Sequence, residues 1–251
     1  YRDWPLLAQT DIATANVRVD PAAGLFGLAI VSREGFLASA DNRAAIAMAI
    51  DRAPVSPLFR PEGQPVETLL PARLDSAADP AIPEWTALPL EGRKITARNR
   101  VAAWHAANRD VPLVIRVALT RSPGATLLWS RIARDLMDMG LQPVWVAEDA
   151  DADLRLIDAV APYDSGRWYL VTACRQCPPP LMESIEAARD APTLTDRAQR
   201  IADADMALTT DGAYIPIAQP LRWSLVALRL RVWQPNARAW HPLTHLRETG
   251  Q

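Results

Sequence analysis

The stretch Pro112–Ala147 constrains the fold more than any other part of this chain. Pro112–Thr120 (PLVIRVALT) is a β-branched, apolar run, the pattern of a strand covered on both faces. Ser122 follows as a helix N-cap, with Pro123 at the first helical position, where a missing N–H costs nothing. Ala125, Leu128, Trp129, Ile132, Leu136 and Met139 share one helix face, and Arg131, Arg134, Asp135 and Asp138 the other. Gly140 ends the helix, and Gln142–Ala147 (QPVWVA) is the next strand. Strand, helix and strand of these lengths make a βαβ unit with parallel strands. The fold class is therefore α/β.

The remaining elements fit around that unit. Asn16–Asp20 alternates as a short strand, Pro21–Gly24 turns the chain, and Leu25–Val31 is a second strand buried on both faces. Asp41 caps a helix to about Arg52, with Ala45, Ile46, Ala49 and Ile50 as its apolar face and Pro54 and Pro57 beyond it. Pro57–Pro89 is proline-rich and weakly periodic, so it predicts long loops with a short element at Val66–Leu70. Ile95–Asn108 is helical, with Val101, Trp104 and His105 on one side. Asp153–Val160 is a strand and Pro162–Gly166 a loop; Trp168–Ala173 suits strand or helix, and Pro178–Pro180 breaks the chain. Leu181–Arg189 and Asp196–Thr209, the latter capped by Thr195, are helices. Ala213–Ala218 is extended, and Pro216 confines it to an edge or linking strand. Trp223–Leu230 is a last strand, and Asn236–Leu246 is irregular.

Composition then excludes several classes of function. With 27 Lys+Arg against 29 Asp+Glu, the net charge is -2, and the basic footprint of a nucleic-acid binder is missing. The longest apolar runs are too short to span a bilayer, so no direct membrane insertion is expected. Length alone is compatible with one or two domains. The chain opens at Tyr1 with no charged and apolar leader after it, which reads as a processed or trimmed start. The nine Trp residues suit either core packing or the lining of a cleft.

Motifs for catalysis are missing: there is no G-x-S-x-G, P-loop or G-x-G-x-x-G, and no acid–base pair stands out, so no catalytic residue is assigned. Asp149, Asp151 and Asp153 read as a solvated loop. Cys174 and Cys177 form a single C-x-x-C, open to a local disulfide, a reduced pair, or a metal or redox role. The disulfide fits best, because three prolines follow the motif and no second ligand pair accompanies it. His241 and His245 have ligand-like spacing but lie far from it in sequence; no metal or cofactor is assigned. Tyr163, Asp164, Arg167 and Trp168 follow the C-terminal end of a strand, where open α/β sheets bind ligands, and the alternative is an ordinary polar turn.

Three stretches resemble a known family when taken in order. Asp41–Arg52 (DNRAAIAMAIDR) is similar to its D-x-R-V-R-x-A-L-x-x-A-I-D-R segment. Leu127–Val146 followed by Asp153–Leu156 matches its later helix, strand and D-x-x-L strand. Ile185–Asn236, which includes YIPIAQP and VWQPN, matches its closing part. The family is the family 5 extracellular solute-binding proteins, receptors of oligopeptide, dipeptide and nickel ABC importers. The resemblance covers the later part of such proteins: the end of lobe I, a hinge strand, lobe II and the returning hinge segment.

This resemblance implies a periplasmic-binding-protein-like lobe (type II) with a mixed sheet flanked by helices. It implies residues 1–30 as the remnant of lobe I and first hinge strand, 31–212 as lobe II, and 213–251 as the second hinge strand and return segment. It implies a periplasmic, non-enzymatic protein that captures a small peptide or other small polar solute and delivers it to a membrane permease. In peptide-binding members a W-x-x-D-Y-x-D-P loop holds the ligand's amino terminus. Here Asp158–Gly166 occupies that place without the Trp, so Asp158, Tyr163, Asp164, Arg167 and Trp168 are the implied ligand contacts, Asp164 taking an ammonium group. The same fold also serves as the effector domain of certain transcriptional regulators, and a degenerate interaction module that lost its cleft is a further alternative.

Overall fold

The structure, a computed structural model, describes residues 1–59, 63–230, 232–242 and 246. The elements in chain order are β1 (Val17–Asp20), β2 (Gly24–Ile30), α1 (Ala40–Ala49), α2 (Ser56–Phe59), α3 (Leu90–Ala107), β3 (Val114–Ala118), α4 (Pro123–Asp138), β4 (Gln142–Val146), β5 (Leu154–Val160), α5 (Gly166–Ala173), α6 (Pro179–Arg189), α7 (Leu194–Asp211), β6 (Tyr214–Ala218) and β7 (Arg222–Leu225). The βαβ unit forms as its sequence dictates. The Ser122 hydroxyl accepts from the Ala125 N–H, Pro123 opens α4, and Gly140 at φ +98° turns the chain into β4. Strands β3 and β4 are parallel. Leu128, Ile132 and Leu136 are fully buried on the α4 face, each contributing about 1.5–3 kcal/mol.

Two sheets result. A five-stranded mixed sheet runs β4-β3-β5-β2-β6, with β3 parallel to β4 and β5, and β2 antiparallel to both β5 and β6. A two-stranded ribbon pairs β1 with β7 antiparallel. Strand β2 sorts its residues by face. Phe26, Leu28 and Ile30 join a core with α1, α3 and α4, whereas Leu25, Ala29 and Val31 join a core with α5, α6 and α7. Helices thus cover both faces, and a strand buried on both has no polar side to show.

Several expectations are corrected by packing. Ser39, not Asp41, is the N-cap residue of α1, which starts at Ala40, and Asp41 sits in the first turn, paired with Arg100. Asp135 is buried on α4, not solvated, and accepts the Asp51 N–H at 2.9 Å. Burial pushes its carboxyl above the usual range. Asp153 is buried too, where it accepts from the Arg116 backbone N–H and guanidinium. Helix α3 begins five residues before Ile95, and His105 on it is exposed while Val101 is buried. Trp168–Ala173 is helical, and Pro178–Pro180 does not break the chain but begins α6, where a proline-supplied φ suits the first turn. Thr193, not Thr195, caps α7, accepting the Asp196 N–H at 3.1 Å. Trp223–Leu230 narrows to β7, and His245 lies outside the described residues.

The proline-rich segment has a structural task. Val66–Leu70 is not a strand; one bridge joins Pro65 to Ala218, and the Val66 N–H donates to Ile217. Beyond it the chain wraps over α7. The Ala77 N–H donates to the Ala198 carbonyl, and the Ala81 N–H to the Asp205 carboxylate at 2.8 Å. Asp205 is buried without a cationic partner, and burial pushes its carboxyl up to about 6. Its folded-state pKa therefore lies above the unfolded one, so the protein loses stability as pH rises through roughly 4 to 6. Asp205→Asn keeps an acceptor for Ala81 and removes the charge. It is expected to stabilise the fold by roughly 1–3 kcal/mol above pH 7 and by almost nothing near pH 4. Urea unfolding at both pH values checks this, and a gap that does not change with pH contradicts it.

Candidate functional site

The chain leaves the five-stranded sheet twice at the same end. Pro21–Ala23 connects β1 to β2, and Gln219–Leu221 connects β6 to β7; β2 and β6 pair side by side between Phe26–Ala29 and Tyr214–Ala218. Strand β5 ends there as well, since it is antiparallel to β2 with Val160 opposite Gly24. The β5–α5 loop is therefore fixed beside both crossings. The Ala161 N–H donates to the Ala23 carbonyl at 2.8 Å, and Arg238 donates to the Ala161 carbonyl at 3.0 Å. On the other side of the loop, Asp75 from the wrapping segment accepts the Gly166 N–H at the start of α5. A carboxylate at a helix N-terminus is favoured by the exposed N–H groups.

The predicted contacts divide into two groups. Asp158, Tyr163 and Asp164 lie at the crossing end. Tyr163 is 57% exposed, and Asp164 is exposed and paired with Arg238 at 2.6 Å. Asp158, half buried on β5, accepts from Arg222 at 2.7 Å. Arg167 and Trp168 belong to α5 and turn away from the loop. Arg167 donates to Glu186 of α6 at 2.8 Å, and Trp168 packs against the inner core and edge-on against Tyr169. The charged candidates are thus all paired within the chain. The partners Arg222 and Arg238 come from 64 and 74 residues downstream of Asp158 and Asp164, a distance no local pattern spans.

Two concavities adjoin this end. One, of about 310 Å3, exposes the Asp158–Arg222 pair together with Tyr1 and Trp223. The other, of about 260 Å3, lies between β2, β6 and the Val66–Ala72 wall and reaches Tyr169 and Tyr214. Burial pushes both phenols above their ordinary range. A third, larger groove of about 800 Å3 lies at the opposite end, between α1, α3 and the last turn of α7. Trp85 borders it, with the Arg93 guanidinium 5.1 Å from its ring centre. Of the Trp residues, Trp4, Trp104, Trp129, Trp145 and Trp223 pack partly buried against the core, and Trp240 is 75% exposed.

Cys174 and Cys177 form a disulfide at the end of α5, with their Cα atoms 5.3 Å apart. It bridges four consecutive positions and stands outside the loop. Among the described residues no group of three or more His, Cys, Asp or Glu side chains gathers as a metal site. His241 instead meets the buried Asp20 at 3.0 Å. No helix among the described residues is long and apolar enough to cross a membrane.

This architecture is similar to one half of solved periplasmic binding proteins. The chain superposes on OppA of Burkholderia pseudomallei with a TM-score of 0.76 at 15% identity, covering 94% of this chain and 50% of that one. The Escherichia coli murein tripeptide binding protein MppA gives 0.76 at 17% identity, with 94% and 49% covered. Haemophilus influenzae OppA, in complex with RPPGFSPFR, gives 0.73 at 14% identity, with 90% and 48% covered. The chain spans about half the length of these proteins, and at such identities the likeness shows the fold. These neighbours are binding proteins rather than enzymes. No family model and no curated protein matches the sequence.

Proposed function

We propose that this chain is the ligand-capturing lobe of a periplasmic solute-binding protein that serves an ABC importer. Residues 1–30 and 213–251 carry the two crossings to the other lobe, and 31–212 form this lobe together with β2 and β6, which complete its sheet. The observation that carries the reading is the placement of the exposed Tyr163–Asp164 loop beside two paired crossings, on the fold of peptide-binding proteins. Two adjacent crossings are the geometry of hinge closure, in which ligand bridges the lobes and the closed form is the one a permease accepts. The ligand class is a small peptide or polar solute with a cationic end. Asp164 takes its ammonium group in place of, or shared with, Arg238, and Tyr163 covers it.

Asp164→Ala is expected to weaken capture of an amine-ended ligand about tenfold or more, equivalent to about 1.4 kcal/mol, and to leave an N-acetylated ligand unaffected. Native mass spectrometry of the full-length protein from its own host identifies the co-purified ligand, and calorimetry with that ligand and its acetylated form measures the loss. Equal affinities for variant and parent overturn the assignment. The internal pairing of Asp158, Asp164 and Arg167 favours a second reading, an interaction module that no longer binds solute. Protein that always emerges empty from its host supports that one.

A further inference from the structure

We propose that Asp164 and Arg238 together receive a zwitterion whose ammonium and carboxylate are attached to the same carbon, as in a free α-amino acid. Arg238 selects it over solutes that carry the ammonium alone. This names the ligand class of the site proposed above and rests on that reading. Arg238 meets the Asp164 carboxylate at 2.6 Å and donates to the Ala161 carbonyl at 3.0 Å. A guanidinium has five N–H donors and a carboxylate about four acceptor positions, so both groups keep capacity after closing on each other. Among the described residues neither side chain has a further partner. The Asp164 side chain is 77% exposed and that of Arg238 25%, so this pair meets what arrives from solvent.

The selection is electrostatic. A lone ammonium drawn to Asp164 also meets the guanidinium 2.6 Å from that carboxylate, and a lone carboxylate drawn to Arg238 meets Asp164. In each case repulsion from one member of the pair offsets attraction to the other. A solute with both charges side by side lays each against its opposite, and its carboxylate gains charge-assisted bonds from the unused N–H groups. The two end charges of a peptide, separated by about 3.3–3.6 Å per extended residue, are too far apart to do this within one pair.

The guanidinium is fixed before a ligand arrives. The Asn236 Oδ1 accepts the Arg238 N–H at 3.0 Å and the Trp240 N–H at 3.3 Å, and the Asn236 N–H donates to the buried Asp20 at 2.9 Å. Ala239, between them, stands at φ +51°, a left-handed conformation that an L-residue keeps only where its surroundings impose it. A receptor group held in this way loses little freedom on binding. The same turn leaves the Trp240 ring 75% exposed two residues from Arg238, and Tyr163, next to Asp164, is 57% exposed. These two rings flank the pair in the chain and offer apolar faces to the body of the solute.

The test is calorimetry on the full-length protein at about pH 6, where free amino groups are charged, with phenylalanine, phenylalaninamide and N-acetylphenylalanine as probes. Phenylalanine is expected to bind saturably, and each analogue, with one charge removed, at least about tenfold more weakly. Arg238→Gln is expected to weaken phenylalanine about tenfold and to leave the amide unchanged or tighter, so the preference for the zwitterion disappears. Trp240→Ala, at an exposed position, is expected to weaken acid and amide alike, about threefold, without moving the unfolding temperature. A merely structural Arg238 would lower both ligands together and keep the preference. That outcome, an amide that binds as well as the acid, or no binding of phenylalanine overturns the proposal. If amide and acid bind alike and Asp164→Ala weakens both, only the Arg238 assignment falls and the receptor reading stands. If none of the three binds and the protein emerges empty from its host, both fall together.

Discussion

Gly27→Val is expected to lower the unfolding free energy by about 3 kcal/mol or more, one of the largest losses from any single change outside the helical core. Gly27 sits in β2, buried on both faces of the sheet, at a register shift against β6. A Cβ there would lie 2.3 Å from the Ile215 carbonyl oxygen, a backbone atom that cannot turn aside. To make room, β6 must move off β2, which breaks the ladder where the two crossings meet, and Tyr214 must leave its place. A valine adds two methyl groups to that conflict. Urea unfolding followed by tryptophan fluorescence measures the loss. A cost below about 1 kcal/mol would show that β6 shifts freely, and the close-packed description of this pair would be wrong.

Arg43→Ala is expected to cost about 3–5 kcal/mol, because it removes one member of a buried ionic network and leaves the rest unsatisfied. The Arg43 side chain is 3% exposed. It donates to the Asp211 carboxylate at 2.8 Å, to the Asp211 carbonyl, and to the Leu37 and Ala38 carbonyls. These bonds tie the end of α7 to the loop before α1, over 168 residues of separation. Arg33 meets the same carboxylate from a more exposed position, at 2.6 Å. Arg33 is 22% exposed and bidentate on that carboxylate; Arg33→Ala is expected to cost less, about 1–2 kcal/mol, because water reaches the groups it leaves. Chemical denaturation of the two variants side by side distinguishes the cases, and equal losses would contradict the buried network.

What the sequence revealed, and what it hid, follows the range of the forces involved. The βαβ unit was readable because its signals are local: apolar runs at β3 and β4, Ser122 and Pro123 ahead of α4, Gly140 after it. The edge position of β6 was readable from Pro216 alone. The α7 cap was misplaced by two residues although the spacing Thr193-x-x-Asp196 was present, because Thr195 offered a competing hydroxyl. Asp135 and Asp153 were misplaced because a carboxylate reads as solvated until its partner is known. Those partners, Lys94, the Asp51 amide and Arg116, come from other segments. The candidate site shows the same limit. The Tyr163–Asp164 loop was readable from its place after β5, but Arg238, Arg222, Asp75 and Tyr214 reach it only through the fold, and Arg167 and Trp168 face α6 and the core.

The two outermost strands of the main sheet, β4 and β6, each hold a proline, Pro143 and Pro216, and each is only five residues long. A sheet margin with unspent N–H and carbonyl groups is a template on which foreign strands grow, and a ring nitrogen without hydrogen interrupts that template. With Pro65 bridging Ala218 along one margin, neither side offers a long uninterrupted rail to a neighbouring molecule. Any chain that meets copies of itself in solution gains from that resistance to fibre formation, and here it is written into both borders of the sheet.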